Sequence, residues 1–176
     1  MSDHIKQETS ELLENYLQHC LCGVCAGEQQ ALSPAARTLR RVAGEMLSSN
    51  HSFFESCEKI HGDPREILKS VAAQLPENGG LNWGRVVSLI VFAGILTQKK
   101  RDHNAGTPKE LAEVLSYFLT EEHRDWLQSN GGWDGFHKHF NKTGVRQQQE
   151  SNTVSNALMA AAGFGLAGLA FLMAVR

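Results

Sequence analysis

The stretch NWGRVVSLIVFAGIL, residues 82–96, decides how this chain folds. Residues 86–96 are apolar on every side of a helix, and Ser88 is their only polar side chain. Eleven residues are too few to span a bilayer, so such a helix must be buried in a protein core. Asn82 is suited to cap this helix, whereas Arg85 places a cation in the first turn, where the helix dipole disfavours it. Arg85 therefore needs a specific partner, and an internal salt bridge is the alternative to a binding role.

Helix signals surround this stretch, whereas strand signals are nearly absent. Ser33-Pro34, Asp63-Pro64 and Thr107-Pro108 are typical helix starts, and each precedes apolar residues at helical spacing. Thr9 or Ser10 is expected to cap the first helix, and Asn130-Gly131-Gly132 is expected to form a helix-ending turn. The sequence therefore predicts an all-α fold, a globular bundle of about eight helices around one central hydrophobic helix.

The last part of the chain carries no charge until its final residue. No Asp, Glu, Lys or Arg occurs in residues 151–175. Residues 157–175 would form a helix about 28 Å long, close to the ~30 Å thickness of a bilayer core. We therefore expect a C-terminal transmembrane helix at residues 156–176, joined to a helical domain, residues 1–143, by a polar linker, residues 144–155. A hydrophobic helix folded back onto the domain is the alternative.

Composition and motifs exclude several classes of function. The formal net charge is −2 and the sequence shows no basic stripe, which argues against nucleic-acid binding. Common hydrolase, nucleotide-binding and zinc-protease motifs do not occur, so we expect neither enzymatic activity nor a cofactor. Cys20, Cys22 and Cys25 form a C-x-C-x-x-C pattern. Because this spacing does not complete a tetrahedral metal site, reduced cytosolic thiols are the simpler interpretation, and no metal is expected.

Two segments resemble motifs of a known family. Residues 82–96 look like the first Bcl-2 homology motif, and residues 126–136 (WLQSNGGWDGF) are similar to the second. The helix around residues 12–21 resembles the fourth motif, and the apolar tail follows in its usual place. The chain is thus similar to the Bcl-2 family of cell-death regulators over nearly its whole length. The short connection at residues 26–33 resembles the Boo/Diva-like pro-survival branch, also called Bcl-2-like protein ten.

The third motif is where the sequence departs from the family. The family pattern is a Leu, three residues, a small residue and then an Asp. Leu39 and Ala43 match this pattern, but Gly44 occupies the acidic position and Glu45 comes one place late. The resemblance therefore implies an anti-apoptotic protein that receives death-motif helices from relatives. A pro-apoptotic, pore-forming member of the same family is the alternative.

The resemblance also implies a hydrophobic groove that binds an amphipathic death-motif helix and so restrains mitochondrial outer-membrane permeabilisation. Arg85 is expected to pair with an Asp of the ligand helix, with Asn82 and Gly84 beside it. Phe140 is expected to close one end of the groove. The other groove residues that the resemblance implies, each with ordinary core as its alternative, are Met46, Phe53, Phe54, Leu68, Val71, Leu75, Val87, Ser88 and Phe92.

Partners and location follow from the same resemblance. The expected partners are amphipathic helices of pro-apoptotic relatives, with an autophagy regulator that carries a similar helix as a further candidate. The tail is expected to lie in the mitochondrial outer membrane, the endoplasmic reticulum membrane or both, with the body facing the cytosol. A plain tail-anchored tether is another hypothesis, but it leaves Arg85 and the tryptophan motifs unexplained. Trp126 and Trp133 are expected to be scaffold residues.

Overall fold

Helices account for the secondary structure in the residues that a computed structural model describes, which are 2–22, 33–49, 51, 55, 63–74, 81–99 and 107–141. Within these ranges there are seven α-helices and no strand, which confirms the all-α class. The sequence predicted about eight helices for the whole domain. The helices are α1 (Ser2–Cys22), α2 (Pro34–Ser49), α3 (Pro64–Gln74), α4 (Trp83–Lys99), α5 (Pro108–Tyr117), α6 (Arg124–Ser129) and α7 (Gly132–Asn141).

Helix α4 lies at the centre of the bundle. Every residue from Val86 to Leu96 is buried, and helices α1, α2, α3 and α5 all pack against α4. Burying one large aliphatic or aromatic side chain contributes about 1.5–3 kcal/mol. The prediction of a central helix that is buried on all sides is therefore confirmed, and the other helices are arranged around it.

Three predicted helix starts are confirmed by their hydrogen bonds. Ser33 Oγ accepts the backbone N–H of Ala36 at 3.2 Å at the start of α2. Asp63 Oδ1 accepts a backbone N–H of the first turn of α3 at 2.9 Å. Thr107 and Glu110 form a capping box at the start of α5, in which each side chain accepts the other residue's backbone N–H. These bonds satisfy backbone amide groups in the first turn that have no partner within the helix. Because the partners are only two or three residues apart, the sequence around each start was sufficient to predict it.

The predicted start of α1 is wrong. Helix α1 begins at Ser2, and Thr9 lies inside it, fully buried, with its hydroxyl donating to the carbonyl of Ile5 at 2.6 Å. The first two turns gain partners from distant parts of the chain. Ile5 packs against the core, and Lys6 forms an ion pair with Glu121 at 2.9 Å. These tertiary contacts extend the helix beyond the point where local signals place its start.

A turn of π-helix, Phe118–Glu122, continues α5. The Thr120 hydroxyl donates to the carbonyl of Ser116 at 2.7 Å, and the backbone N–H of His123 donates to the carbonyl of Phe118 at 3.0 Å. As a result three consecutive residues, Phe118, Leu119 and Thr120, are all buried. The wider turn therefore directs more of the chain inward than the single apolar face of an amphipathic α-helix would.

The turn between α6 and α7 is the one that sequence predicted. Gly131 and Gly132 have φ angles of 78° and 61°, in the left-handed region that favours glycine. Gly135 follows one turn later, where a Cβ atom would overlap the carbonyl of Asn130. Helix α7 therefore starts against the end of α6 with no room for a side chain between them.

Among the described helices, none combines the length and the apolar character that crossing a bilayer requires. The linker (144–155) and the expected transmembrane helix (156–176) lie outside the described residues. Both remain predictions from sequence.

Candidate helix-binding site

The first turn of α4 has the cap that its sequence predicts. Asn82 Oδ1 accepts the backbone N–H of Arg85 at 2.8 Å, and the Asn82 carbonyl accepts the N–H of Val86 at 3.0 Å. One turn later, Ser88 Oγ donates to the carbonyl of Gly84 at 2.8 Å. The polar groups of this turn thus hold its backbone in place and fix where the Arg85 side chain leaves the helix.

Arg85 is exposed over only 6% of its surface, and it has an interaction partner in the free chain. A guanidinium stays charged at all physiological pH values, so burial requires polar partners around it. A guanidinium has five N–H donors, so it can bind a carboxylate of another molecule as well as a partner within the chain. An internal interaction and a ligand-binding role are therefore compatible.

The structure brings most of the predicted groove residues together. Seven of the described ones lie on α2, α3, α4 and α7 and have at most 5% of their surface exposed: Met46, Leu68, Val71, Val87, Ser88, Phe92 and Phe140. At the start of α4, Arg85 is 6% exposed, Gly84 is buried and Asn82 is half-buried. Phe53, Phe54 and Leu75 lie outside the described residues. The six apolar residues among the seven belong to the same hydrophobic core cluster as the rest of the buried residues, so burial alone does not distinguish a groove lining from ordinary core.

Helices α2 and α3 contact α4 through different chemistry. From α2, Met46 Sδ lies 3.5 Å from Ser88 Oγ, so a thioether contacts the one hydroxyl in the apolar part of α4. From α3, Leu68 and Val71 are buried at 0% and 5% exposure. Such contacts are non-directional, and a Met side chain adapts easily to a changed neighbour. The arrangement can therefore accept another apolar surface without leaving polar groups unpaired.

Phe140 lies where α7 meets α2. Its ring is edge-on to Phe136 with centroids 5.0 Å apart, and its carbonyl accepts the Arg41 Nη2–H at 3.4 Å. A cation at the C-terminal end of a helix is favoured by the helix dipole. Helix α2 therefore contributes both an apolar wall and the charged group that holds the last turn of α7.

An aromatic cluster joins the two tryptophan motifs. The Trp83 ring lies 4.7 Å from Trp126, 5.9 Å from Trp133 and 5.3 Å from Phe136, measured between ring centroids. Trp83 and Trp133 are almost fully buried. Edge-to-face aromatic pairs each add about 0.5–1.5 kcal/mol beyond their burial. These contacts hold the start of α4 against α6 and α7, which agrees with the scaffold role expected of Trp126 and Trp133 and adds Trp83 to it.

Sequence reasoning missed two polar contacts that hold helices together. Trp133 Nε1–H donates to Thr9 Oγ1 at 2.8 Å, and Thr38 Oγ1 lies 2.7 Å from His137 Nδ1. Thr9 and Thr38 are polar residues on the buried sides of otherwise amphipathic helices. That mismatch is the signal by which both could have been found, because a buried hydroxyl needs a partner.

The Cys20 thiol and the placement of possible metal ligands can be described for part of the chain. Burial raises the pKa of the Cys20 thiol, although Tyr16 and Arg40 act against the shift. A raised thiol pKa leaves less of the reactive thiolate. No group of three or more His, Cys, Asp or Glu side chains is placed to hold a metal ion among the described residues. The side chains of Cys22, Cys25 and Cys57 lie outside that set.

Comparison with known proteins gives consistent matches. The family described as "Apoptosis regulator proteins, Bcl-2 family" matches residues 39–133. The chain is 44% identical to "Anti-apoptotic protein NR13" of Coturnix japonica over the full length of both chains. It is 31% identical to "Bcl-2-like protein 10" of Homo sapiens, covering 81% of this chain and 79% of that protein.

A solved structure shows the same fold. The complex of the zebrafish pro-survival protein NRZ with a Bad BH3 segment superposes with a TM-score of 0.69 at 34% sequence identity. The match covers 80% of this chain and 97% of that one. The family match spans more than half of the chain, and the full-length relative is well above 30% identical. The chain belongs to the Bcl-2 family of apoptosis regulators.

Proposed function

We propose that this chain is an anti-apoptotic regulator that binds the BH3 helix of pro-apoptotic relatives and so restrains permeabilisation of the mitochondrial outer membrane. The observation that supports this proposal most directly is the chain's likeness to a pro-survival protein whose structure was solved in complex with a Bad BH3 segment. The two are 34% identical, and the match covers 80% of this chain. The full-length likeness to anti-apoptotic NR13 supports an anti-apoptotic rather than a pro-apoptotic activity. The chain acts by binding alone, without catalysis.

The ligand helix is proposed to insert between α3 and the α2–α4 contact. Leu68 and Val71 of α3 would then exchange their contacts with α4 for contacts with the apolar face of the ligand. Apolar area that leaves water contributes roughly 25 cal/mol per Å². Because contacts are exchanged, the net gain comes from additional surface that the ligand brings, and α3 has to move outward.

Arg85 is proposed to pair with the Asp of the ligand helix. Its backbone position in the first turn of α4 is fixed by the Asn82 cap. A charge-assisted hydrogen bond at a partly desolvated site contributes about 1.5–3 kcal/mol. Arg85→Ala should therefore weaken binding by about that amount. Changing the ligand Asp to Ala should then matter less, with a coupling above ~1 kcal/mol in a double-mutant cycle.

The pro-apoptotic alternative is less well supported, because a death-motif helix needs an acidic group. In α2, Leu39 and Ala43 are buried while Gly44 is exposed. Gly44 has no side chain to pair with a receptor cation. Even if α2 were released, it would lack the charged contact that gives such helices their specificity.

Membrane attachment through residues 156–176 is part of the proposal, with the mitochondrial outer membrane, the endoplasmic reticulum or both as its location. The support is the uncharged sequence of residues 151–175. An autophagy regulator that carries a similar helix remains a candidate partner. Fractionation of cells expressing residues 1–150 tests the anchor, because tight membrane association of that truncated chain would rule it out.

The groove itself is tested by charge substitutions at Val71 of α3 and at Leu75. Val71→Glu and Leu75→Glu should abolish binding of a labelled Bad BH3 peptide, because an unpaired carboxylate in an apolar site costs several kcal/mol. Ala73→Glu is the matched control, since Ala73 is exposed on the same helix. Thermal melting is measured on the same samples. If melting collapses together with binding, these residues belong to the core and the groove assignment is wrong.

A further inference from the structure

The turn between α6 and α7 contains an asparagine followed directly by a glycine, Asn130-Gly131. This dipeptide is chemically labile, because the backbone nitrogen of the glycine can attack the side-chain amide carbon of the asparagine. Glycine hinders that approach least, since it has no Cβ atom. Both residues are exposed, so the water that completes such a reaction can reach them.

Hydrogen bonds of the folded turn hold both nitrogens that this reaction uses. The attacking nitrogen belongs to the backbone N–H of Gly131, which donates to the carbonyl of Gln128 at 3.1 Å. The leaving nitrogen is Nδ2 of Asn130, which donates to the carbonyl of Trp126 at 2.7 Å, one turn back along α6. The first bond makes the Gly131 N–H harder to deprotonate, and the second holds the side chain of Asn130. Both bonds therefore act against the reaction while the turn is intact.

Contacts from α7 keep the turn closed. The backbone N–H of Gly135 donates to the carbonyl of Gly131 at 3.0 Å. The carbonyl of Asn130 lies so close to Gly135 that a Cβ atom at position 135 would overlap it. The carbonyls of both residues of the dipeptide are thus held by the start of α7, and the turn has to open locally before the dipeptide can rearrange.

We propose that Asn130 is a deamidation site that the closed α6–α7 turn suppresses, so that the reaction marks chains in which this turn has opened. The Gly131 N–H gives its proton to solvent, and its nitrogen forms a bond to Cγ of Asn130. The Cγ–Nδ2 bond breaks, and ammonia leaves with a proton taken from solvent. Water, the only co-reactant, then opens the succinimide ring at either of its carbonyls and gives aspartate or isoaspartate.

The product cannot rebuild the same turn. A carboxylate has no N–H to donate to the carbonyl of Trp126. In isoaspartate the main chain is also longer by one methylene group, at a point where Gly135 leaves no room for a side chain. The rings of Trp126 and Trp133, on either side of the turn, pack against Trp83 at the start of α4. Deamidation should therefore loosen the scaffold near Arg85 and weaken ligand binding, a consequence that rests on the proposed function.

The test follows deamidation of Asn130 over time by peptide mapping with mass spectrometry, in the full-length chain and in a free peptide of residues 124–136. Mapping is needed because Asn78 also precedes a glycine. We expect the reaction in the full-length chain to be roughly tenfold to a hundredfold slower than in the peptide, the size of two net hydrogen bonds.

Two neighbouring substitutions test whether the turn controls the rate. Gly135→Ala should accelerate the reaction in the full-length chain, because its methyl group would displace the carbonyl of Asn130. Asp134→Ala, at an exposed position of the same turn of α7, should keep the parent rate. If Gly135→Ala does not fold, urea below the unfolding transition opens the turn in the parent chain instead, and the rate at Asn130 should rise with urea.

Equal rates in the parent and the free peptide would overturn the proposal, as would a rate in folded Gly135→Ala no higher than in Asp134→Ala, or a parent rate that does not respond to urea. The chains modified at Asn130 carry an added negative charge, by which ion exchange separates them. They should melt at a lower temperature and bind a labelled Bad BH3 peptide about threefold to tenfold more weakly than the parent, the size of one net hydrogen bond.

The binding measurement separates this inference from the proposed function. If the unmodified parent fails to bind the peptide, the proposed function fails, whereas the dependence of deamidation on the turn stands on the rates alone. If the parent binds and the chains modified at Asn130 bind equally well, the expected consequence for the ligand is overturned and the proposed function is unaffected.

Discussion

Helices α1 and α3 both pack against the centre of the bundle, but by different means. Helix α1 makes side-chain hydrogen bonds to several other elements: Lys6 to Glu121, Thr9 to Trp133, Ser10 to Ser116, Asn15 to Arg40, and the Cys20 carbonyl to Gln98. Among the residues that the structure describes, the side-chain hydrogen bonds of α3 stay within residues 63–69. In this part of the chain, the α3 side chains buried against the bundle are apolar: Leu68, Val71 and Ala72.

This difference in contacts indicates which of the two helices can shift relative to the rest of the bundle. Hydrogen bonds are directional and lose most of their strength when a helix shifts by an ångström or two. Apolar contacts depend mainly on the area removed from water, so one apolar neighbour can replace another. We therefore expect α1 to be the fixed side of the bundle and, under the proposed function, α3 to be the side that adjusts to a ligand helix.

The largest expected effect compares one leucine from each helix. Leu13 on α1 and Leu68 on α3 are both fully buried. A Leu→Ala change in a core destabilises by about 2–5 kcal/mol, depending on how far the neighbours collapse into the cavity. We expect Leu13→Ala near the upper end and Leu68→Ala near the lower end, because α3 is free to shift. Urea unfolding measures both, and equal losses would contradict the comparison.

The next effect concerns the buried bond between α1 and α7. Thr9→Val leaves the Trp133 indole N–H without its acceptor, which should destabilise the chain by about 1–3 kcal/mol. Thr9→Ser retains the hydroxyl and serves as the control. The free energy of unfolding of Thr9→Val should fall clearly below that of Thr9→Ser. If the two variants are equally stable, the bond does not help to fix α1.

A smaller effect is expected at the half-buried pair of hydroxyls between α1 and α5. Ser10 Oγ and Ser116 Oγ are 3.0 Å apart. Each single Ala substitution should cost about 0.5–1.5 kcal/mol, and the double variant should cost less than the sum because no hydroxyl is left without a partner. Strict additivity in the double-mutant cycle would show that the two side chains do not stabilise each other.

The smallest effect is expected at the exposed ion pair of Lys6 and Glu121. The hydrogen bond from Lys6, and then its charge, lower the pKa of Glu121. A lowered carboxyl pKa adds stability above the ordinary glutamate pKa of about 4.3, and this stability is lost as pH falls through the folded-state value. Glu121→Gln should therefore lower the melting temperature slightly at pH 7 and not at pH 3. Glu122→Gln is the control, and added salt should reduce the difference.

The parts of the fold that the sequence predicted correctly are those determined by interactions between residues close together in the chain. The burial of α4 follows from eleven consecutive residues with a single hydroxyl, and the starts at Ser33, Asn82 and Thr107 follow from side chains that cap their own helices. The start of α1 was wrong because Lys6 and Ile5 find their partners more than a hundred residues away or in the assembled core. No pattern within α1 alone contains that information.

The candidate site divides in the same way. The family resemblance indicated Arg85 and a set of apolar residues, and the described apolar ones belong to one core cluster. The resemblance did not indicate the bonds of Thr38 with His137 and Asn141, which join residues about a hundred positions apart. Such networks depend on how the helices pack against each other. In the sequence of a single helix they are visible only as polar residues on an otherwise apolar face.

The close approach of α7 to the end of α6 determines which mutations the chain can tolerate. Position 135 faces the carbonyl of Asn130, which belongs to the backbone and cannot rotate away as a side chain could. The neighbouring Asp134 is exposed. In a saturation library selected for folded protein, position 135 should therefore return glycine almost alone, while position 134 accepts a broad range of residues. The carbonyl oxygen of Asn130 thus restricts position 135 to glycine, whereas the adjacent position 134 tolerates many side chains.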